Sequence, residues 1–224
     1  MSTKIRCALF LLSIAIYSSC NSGIISNNSE SLKISNNVDS LNNLLSLFPT
    51  ITAANLHIYS PFDSTSGNKF AGKAIDSTFY RYFSSQPWLD STDKDSKIFA
   101  CFQFNISNTR TGLIIRRRSQ YSETAIDLCL WDNHSKKIIN EMEVSDNFGD
   151  GQWYFVKDAW LVDINKDGLL DIVTRQKDWD GDDTTKPEGI TTDSLKIYIA
   201  KGDNFNKALY PVDTTIFKIL NWDN

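Results

Sequence analysis

The 224-residue chain has little of what most enzymes and nucleic-acid binders rely on. It holds two histidines, His57 and His134, and no histidine pair at zinc-binding spacing. No serine sits in a Gly-x-Ser-x-Gly elbow, which removes the usual hydrolase nucleophile. Its 23 basic residues are outnumbered by 27 acids. The one basic tract is Arg116-Arg117-Arg118. A mildly acidic chain without a basic stripe excludes nucleic acid as a partner. The apolar run Ala8 to Tyr17 is too short to span a bilayer as a mature helix. Cysteine is scarce: of four, only Cys101 and Cys129 lie beyond residue 20.

What is present begins at the N-terminus. Lys4 and Arg6 precede the apolar run, and Ser18-Ser19-Cys20 follows it. A charged start, a short apolar stretch and small residues at a cut site make a secretory signal over residues 1–19. The small-small-Cys ending resembles a bacterial lipoprotein signal, in which Cys20 becomes the lipidated first residue. Tyr17 departs from that pattern, which prefers an aliphatic residue three before the cysteine. Asn21 takes the place of the aspartate that retains many such proteins at the inner membrane. The resemblance therefore implies attachment to the outer membrane of a Gram-negative-type envelope. Residues 20–37 are rich in Ser and Asn and cannot bury enough apolar surface to fold alone, so they read as a lipid-anchored flexible tether. Losing Lys4 and Arg6 leaves 21 basic residues against 27 acids, a net charge of −6.

Residues 38–224 are enough for one core and do not demand two domains. Leucines at 41, 44, 45 and 47, ended by Pro49, predict a short amphipathic helix over Val38 to Phe48 that docks on a sheet. Beyond it the signal is strand after strand: Asn55 to Tyr59, Ser77 to Phe83, Ile98 to Ile106, Gly112 to Arg118, Thr124 to Trp131, Lys136 to Val144, Trp153 to Val162, Leu169 to Arg175, Ser194 to Ala200 and Thr214 to Leu220. Ile98, Ala100, Phe102, Phe104 and Ile106 alternate onto one face. Asp132-Asn133-His134-Ser135 reads as a hairpin loop. Short strands joined by Gly, Asn and Asp turns predict a mainly β fold of antiparallel sheets, a sandwich or a strongly curved sheet, with one short N-terminal helix. Arg116 and Arg118 then share one face and Arg117 takes the other, on a solvated or acid-paired surface; an anion site is the alternative. Cys101 and Cys129 fall on strands with a third between them. They form a disulfide only if those strands are neighbours or face each other across two sheets. Neither has a nearby base, so catalysis by either is not expected.

The strongest motif is Asp163-Ile-Asn165-Lys-Asp167-Gly168-Leu169-Leu-Asp171. Oxygen side chains stand at positions one, three, five and nine, with glycine at six. This spacing suits a hard cation: Asp163, Asn165, Asp167 and Asp171 offer side-chain oxygens and Leu169 offers its carbonyl. Gly168 permits the positive φ that turns such a loop. Position twelve is Thr174 rather than glutamate, which argues against an EF-hand. With strands on both sides, the segment Phe148 to Lys177 resembles the FG-GAP or VCBS repeat. Phe148-Gly149 stands where that family carries its Phe-Gly pair. The resemblance implies a structural Ca2+ loop between strands. The Gly-Ala-Pro element and further copies of the loop are missing, so a propeller is not expected.

Asp178, Asp180 and Asp182 form a second acidic group, expected as a loop that either is solvated or adds ligands to the same or another ion. Asp146 to Gly151 is expected near the same rim. Paired carboxylates with Trp153, Trp160 and Trp179 for sugar stacking would suit a carbohydrate-active hydrolase. His57 and His134 read as structural and surface residues. The leading expectation is a non-catalytic, calcium-stabilised binding or accessory module, held at the membrane by its lipid and meeting an envelope protein or a glycan. The alternatives are the hydrolase and a surface adhesin.

Overall fold

The computed structural model describes residues 41–60, 69–83, 97–117, 124–150, 152–181, 190–202 and 204–208. The signal and tether with Cys20, Arg118, Asp182 and the expected strand at 214–220 lie outside the described residues. Ten strands follow in chain order: β1 (Leu56–Ile58), β2 (Lys73–Ala74), β3 (Ile98–Asn105), β4 (Arg110–Arg117), β5 (Ala125–Asp132), β6 (Lys137–Asp150), β7 (Trp153–Val162), β8 (Asp171–Asp180), β9 (Ile190–Lys201) and β10 (Asn204–Lys207). From β2 to β10 each strand pairs antiparallel with its sequence neighbour. The expected mainly β, antiparallel and strongly curved architecture is what the chain adopts, with helical residues 41–45 at its N-terminal side.

The longest strand makes the curve. Residues Lys137 to Ser145 of β6 pair with β5, and Asp146 to Asp150 pair with β7. The edge of β7 that β6 leaves is taken by β1, through Leu56↔Leu161, His57↔Trp160 and Ile58↔Ala159. The sheet thus has two halves, one on each side of β6, and their inner faces share a core. Phe104, Ile114, Ile126, Leu128 and Val144 come from the first half, and Ala159, Leu161 and Ile172 from the second.

A second core covers the outer face of the first half. Ile98, Ala100, Leu113, Ile115, Cys129 and Trp131 lie beneath Leu44 and Phe48 of the N-terminal segment and Phe83. Helix 41–45 docks as expected, and Gln103 Nε2 closes it by donating to the carbonyls of Leu45 (3.2 Å) and Phe48 (2.7 Å). Helix ends leave such carbonyls without intrahelical partners. Ser77–Tyr82 is a 3-10 helix and not a strand. Asp76 starts it by accepting from the Thr78 N–H at 2.9 Å, a capping bond that also lowers the Asp76 pKa.

The expected single face of β3 is also corrected. Ala100 pairs with Ile115 but Phe102 pairs with Ile114, so Cys101 is an extra residue in the ladder. One inserted residue reverses the faces. Ile98 and Ala100 therefore enter the outer core, whereas Phe102 and Phe104 join the inner one.

Candidate functional site

The segment after Val162 turns from β7 into β8. Two residues give it a left-handed backbone, Lys166 at φ 61° and Gly168 at φ 84°. Its side-chain oxygens fold onto its own amides. Asp163 accepts from the N–H of Asp167 (3.1 Å) and of Gly168 (2.9 Å). Asn165 Oδ1 accepts from Asp167 N–H at 3.1 Å, and Asp167 Oδ1 accepts from Leu169 N–H at 2.8 Å. The Asn165 amide donates to the other Asp167 oxygen at 2.9 Å.

Asp171 is different, being 0% exposed. Its two oxygens accept from Ile164 N–H at 3.1 Å and Ala200 N–H at 2.8 Å, tying the turn to β9. Burial raises its pKa, two backbone bonds work the other way, and the charges of Asp167 and Asp163 push it up again. Three acids are thus close enough to repel one another. Among the described residues no three His, Cys, Asp or Glu side chains converge to hold a metal ion. The donor chemistry nevertheless fits a hard cation. Asp163, Asn165, Asp167 and Asp171 are oxygen donors, and a carboxylate oxygen that accepts one N–H keeps a second lone pair.

The second acidic group lies elsewhere. Asp178 and Asp180 are not in a loop but end strand β8. Nine residue steps of β-strand separate Asp180 from Asp171, about 30 Å, so they cannot share an ion. Asp178 accepts from Gln176 Nε2 at 3.0 Å and from the Thr192 hydroxyl. Asp150 is paired with Trp153 and Trp153 with Asp180. The Asp146 to Asp150 stretch therefore meets the rim of Asp180, at the far end of the strands from the turn.

Cys101 and Cys129 are free and buried. Cys101 faces the inner core and Cys129 the outer, with β4 between their strands, so the disulfide is not made. Burial raises both thiol pKa values, that of Cys101 to about 12, which keeps them protonated and unreactive. Arg116 and Arg117 take opposite faces, as alternation requires. Arg116 donates to the Phe70 and Ala71 carbonyls over the Phe99 ring. Arg117 is buried against both oxygens of Asp127 and reaches Glu143 at 3.0 Å. Glu143 also accepts from Lys157 at 3.2 Å, which links the two halves of the sheet. Of the alternatives offered for this tract, acid pairing is found at Arg117; the identity of the acids was not legible, because they come from β5 and β6.

The three tryptophans expected to stack on sugars are divided. Trp160 is buried, with the His57 imidazole stacked on it at 4.4 Å and Asp158 3.2 Å from the His57 Nε2. Trp179 is stacked on Tyr154, on the opposite face of the ribbon from Trp153. Trp153 alone of the three is open, 40% exposed. His134 is an exposed residue of the β5–β6 turn, where its N–H donates to Asp132. Comparison with protein-family models, characterised proteins and solved structures finds no match.

Proposed function

We propose that this chain is an envelope lipoprotein whose β body is a calcium-stabilised binding module, anchored through Cys20. The observation that carries the reading is the turn from Asp163 to Asp171. Its alternating oxygen side chains, its left-handed Gly168 and its buried final aspartate suit a cation loop set between strands. In this reading Asp163, Asn165, Asp167, the Leu169 carbonyl and Asp171 hold Ca2+. The ion offsets the repulsion among the three carboxylates and fixes the β7–β8 connection. The role is structural, because the loop joins core strands and its last ligand is bonded to β9. The FG-GAP or VCBS resemblance of the motif agrees with a structural ion.

Thermal unfolding tests this. Calcium binds the native loop and not the unfolded chain, which scatters the ligands. With a dissociation constant on the order of 0.1 mM, as in extracellular modules, about 2 mM calcium stabilises by roughly 1.8 kcal/mol. That raises Tm by about 4–7 °C for a domain of this size. Magnesium, which demands tight octahedral geometry and keeps its waters, gives a smaller shift. Asp167→Ala removes the calcium shift. Equal melting curves in calcium and in chelator, for protein prepared free of metal, refute the reading.

A further inference from the structure

We infer that a small recess on the inner face of the second half-sheet binds the carboxylate group of a small acid. The proposal names a ligand chemistry for the binding-module reading and rests on it in that respect; the site itself lies outside the calcium loop. Cross-strand partners share a face, so the strand register lays out the recess. Ile172 pairs with Tyr198, Thr174 with Lys196 and Gln176 with Ser194. Ile172 belongs to the inner core, and Tyr198 packs against that core. One row further out the face turns polar, and there the recess opens.

Its lining divides into groups that are already paired and groups that are not. Glu143 accepts from Arg117 with one oxygen at 3.0 Å and from Lys157 with the other at 3.2 Å. The Gln176 amide donates to Asp178 at 3.0 Å. Lys196, Thr174, Ser194 and Tyr198 also line the recess. Among the described residues neither the Lys196 ammonium nor any of these three hydroxyls has a hydrogen bond or an ion pair. Thr174 is only 5% exposed, so bulk water reaches little of it. A buried hydroxyl ordinarily has a partner. The recess that Thr174 lines is the place where one would sit.

Charge and size select the ligand. Lys157 and Glu143 offset one another, so Lys196 leaves the lining with one positive charge in excess. The next acid along this face of β8 is Asp178, four residues beyond Thr174. That is about 13 Å along a strand, beyond the Debye length of about 8 Å at physiological salt. The unspent groups are thus an ammonium and three hydroxyls, a set of donors around one net charge. They match a monovalent acceptor. The recess encloses about 30 Å³. A water-sized group needs about 10–15 Å³, so two such groups fit, as many as a carboxylate has oxygens. A phosphate has four, and its second negative charge would go unmatched. A cation meets Lys196 and finds both Glu143 oxygens engaged.

The test uses the full chain in mild detergent and isotope-labelled formate, whose nuclear resonance broadens when it exchanges with a protein site. Broadening that excess acetate removes is expected, with chloride and phosphate much less effective at the same ionic strength. Lys196→Met should weaken formate binding about tenfold or more, and Thr174→Val about three- to tenfold, because each removes a donor to a charged group. Thr174→Ser keeps the hydroxyl and should bind like the parent, as should Lys207→Met, which alters an exposed lysine of β10. No saturable broadening, displacement by chloride or phosphate as effective as by acetate, or an equal loss in Lys207→Met overturns the proposal. So does full binding in Lys196→Met or in folded Thr174→Val. The same samples are melted with calcium and with chelator. If formate fails to bind while calcium still raises Tm, the carboxylate inference alone falls. Formate binding without a calcium effect on Tm refutes the structural-ion reading and leaves the recess in place.

Discussion

At the scale of single residues, the buried charges set the clearest expectations. Arg117 is 5% exposed and Asp127 1% exposed, and burial raises the Asp127 pKa while the guanidinium beside it works in the opposite direction. Removing one partner strands the other without solvent. Arg117→Met should therefore cost about 3–5 kcal/mol, read by urea unfolding. Arg117→Lys should not restore the loss, because a point ammonium cannot span both Asp127 oxygens and Glu143. A loss under 1 kcal/mol for Arg117→Met would show that the network contributes little. Glu141 supplies a pH-dependent counterpart. Its oxygens are buried, with Asp127 and Cys129 as side-chain neighbours. Burial, and then the Asp127 charge, raise its pKa from 4.5 to about 8. The folded chain consequently holds a proton that the unfolded chain releases above its own carboxylate pKa. This contribution is complete in acid and is lost as pH rises toward 8. Glu141→Gln keeps the shape without the titration. The Tm of the variant relative to the parent should climb between pH 5 and pH 8, and parallel pH profiles would contradict it.

At the scale of elements, close packing between neighbouring strands gives a sharper test than propensity. Gly112 is opposite Phe104 in the β3–β4 ladder. A Cβ added there would lie 2.4 Å from the buried Phe104 ring. Gly112→Ala should destabilise by about 1–3 kcal/mol in chemical unfolding, since the ring has no free space to enter. Combining it with Phe104→Leu should recover part of that loss, and strict additivity of the two would refute the contact. The same packing explains what the sequence could and could not disclose. Strands β3, β4, β5 and β7 carry dense β-branched and aromatic residues and are present close to their expected limits, whereas β8 runs five residues past its expected end and β9 begins four residues before its expected start. Three features were hidden. Cys101 looks like any other residue of an alternating strand, yet as a bulge it reverses the pattern around it. Ser77 to Phe83 has strand-like composition, but the Asp76 cap and the packing of Phe83 into the outer core favour a tight helix. The acids Asp178 and Asp180 look like loop residues in composition and end a strand because β7 and β9 flank them.

At the scale of the whole molecule, local motifs and assembled surfaces differ in how far a sequence reveals them. The Asp163 to Asp171 turn was legible because its donors fall within nine residues and share one backbone path. By contrast, Glu143, Lys157, Gln176, Ser194 and Lys196 line one small recess although they come from β6 to β9 and are separated by up to some fifty positions, and only strand register brings them together. The proposed location of the chain rests on a third kind of signal, one that needs no fold. A lipoprotein-like ending at Cys20 implies anchorage by acyl chains, and each buried methylene contributes about 0.8 kcal/mol to membrane affinity. A single chain of ordinary length holds a protein only marginally, so stable attachment requires the complete modification. Among the described residues no helix is long and apolar enough to cross a membrane. Cys20→Ala should therefore move the protein from the membrane pellet to the soluble fraction of fractionated cells, while its β body keeps the same calcium-dependent Tm. Electrostatic adhesion to anionic lipids is opposed by the net charge, −4 for the full chain and −6 if the proposed signal is removed. If Cys20→Ala still sediments with membranes after a high-salt wash, the anchor lies in the protein surface and not in the cysteine.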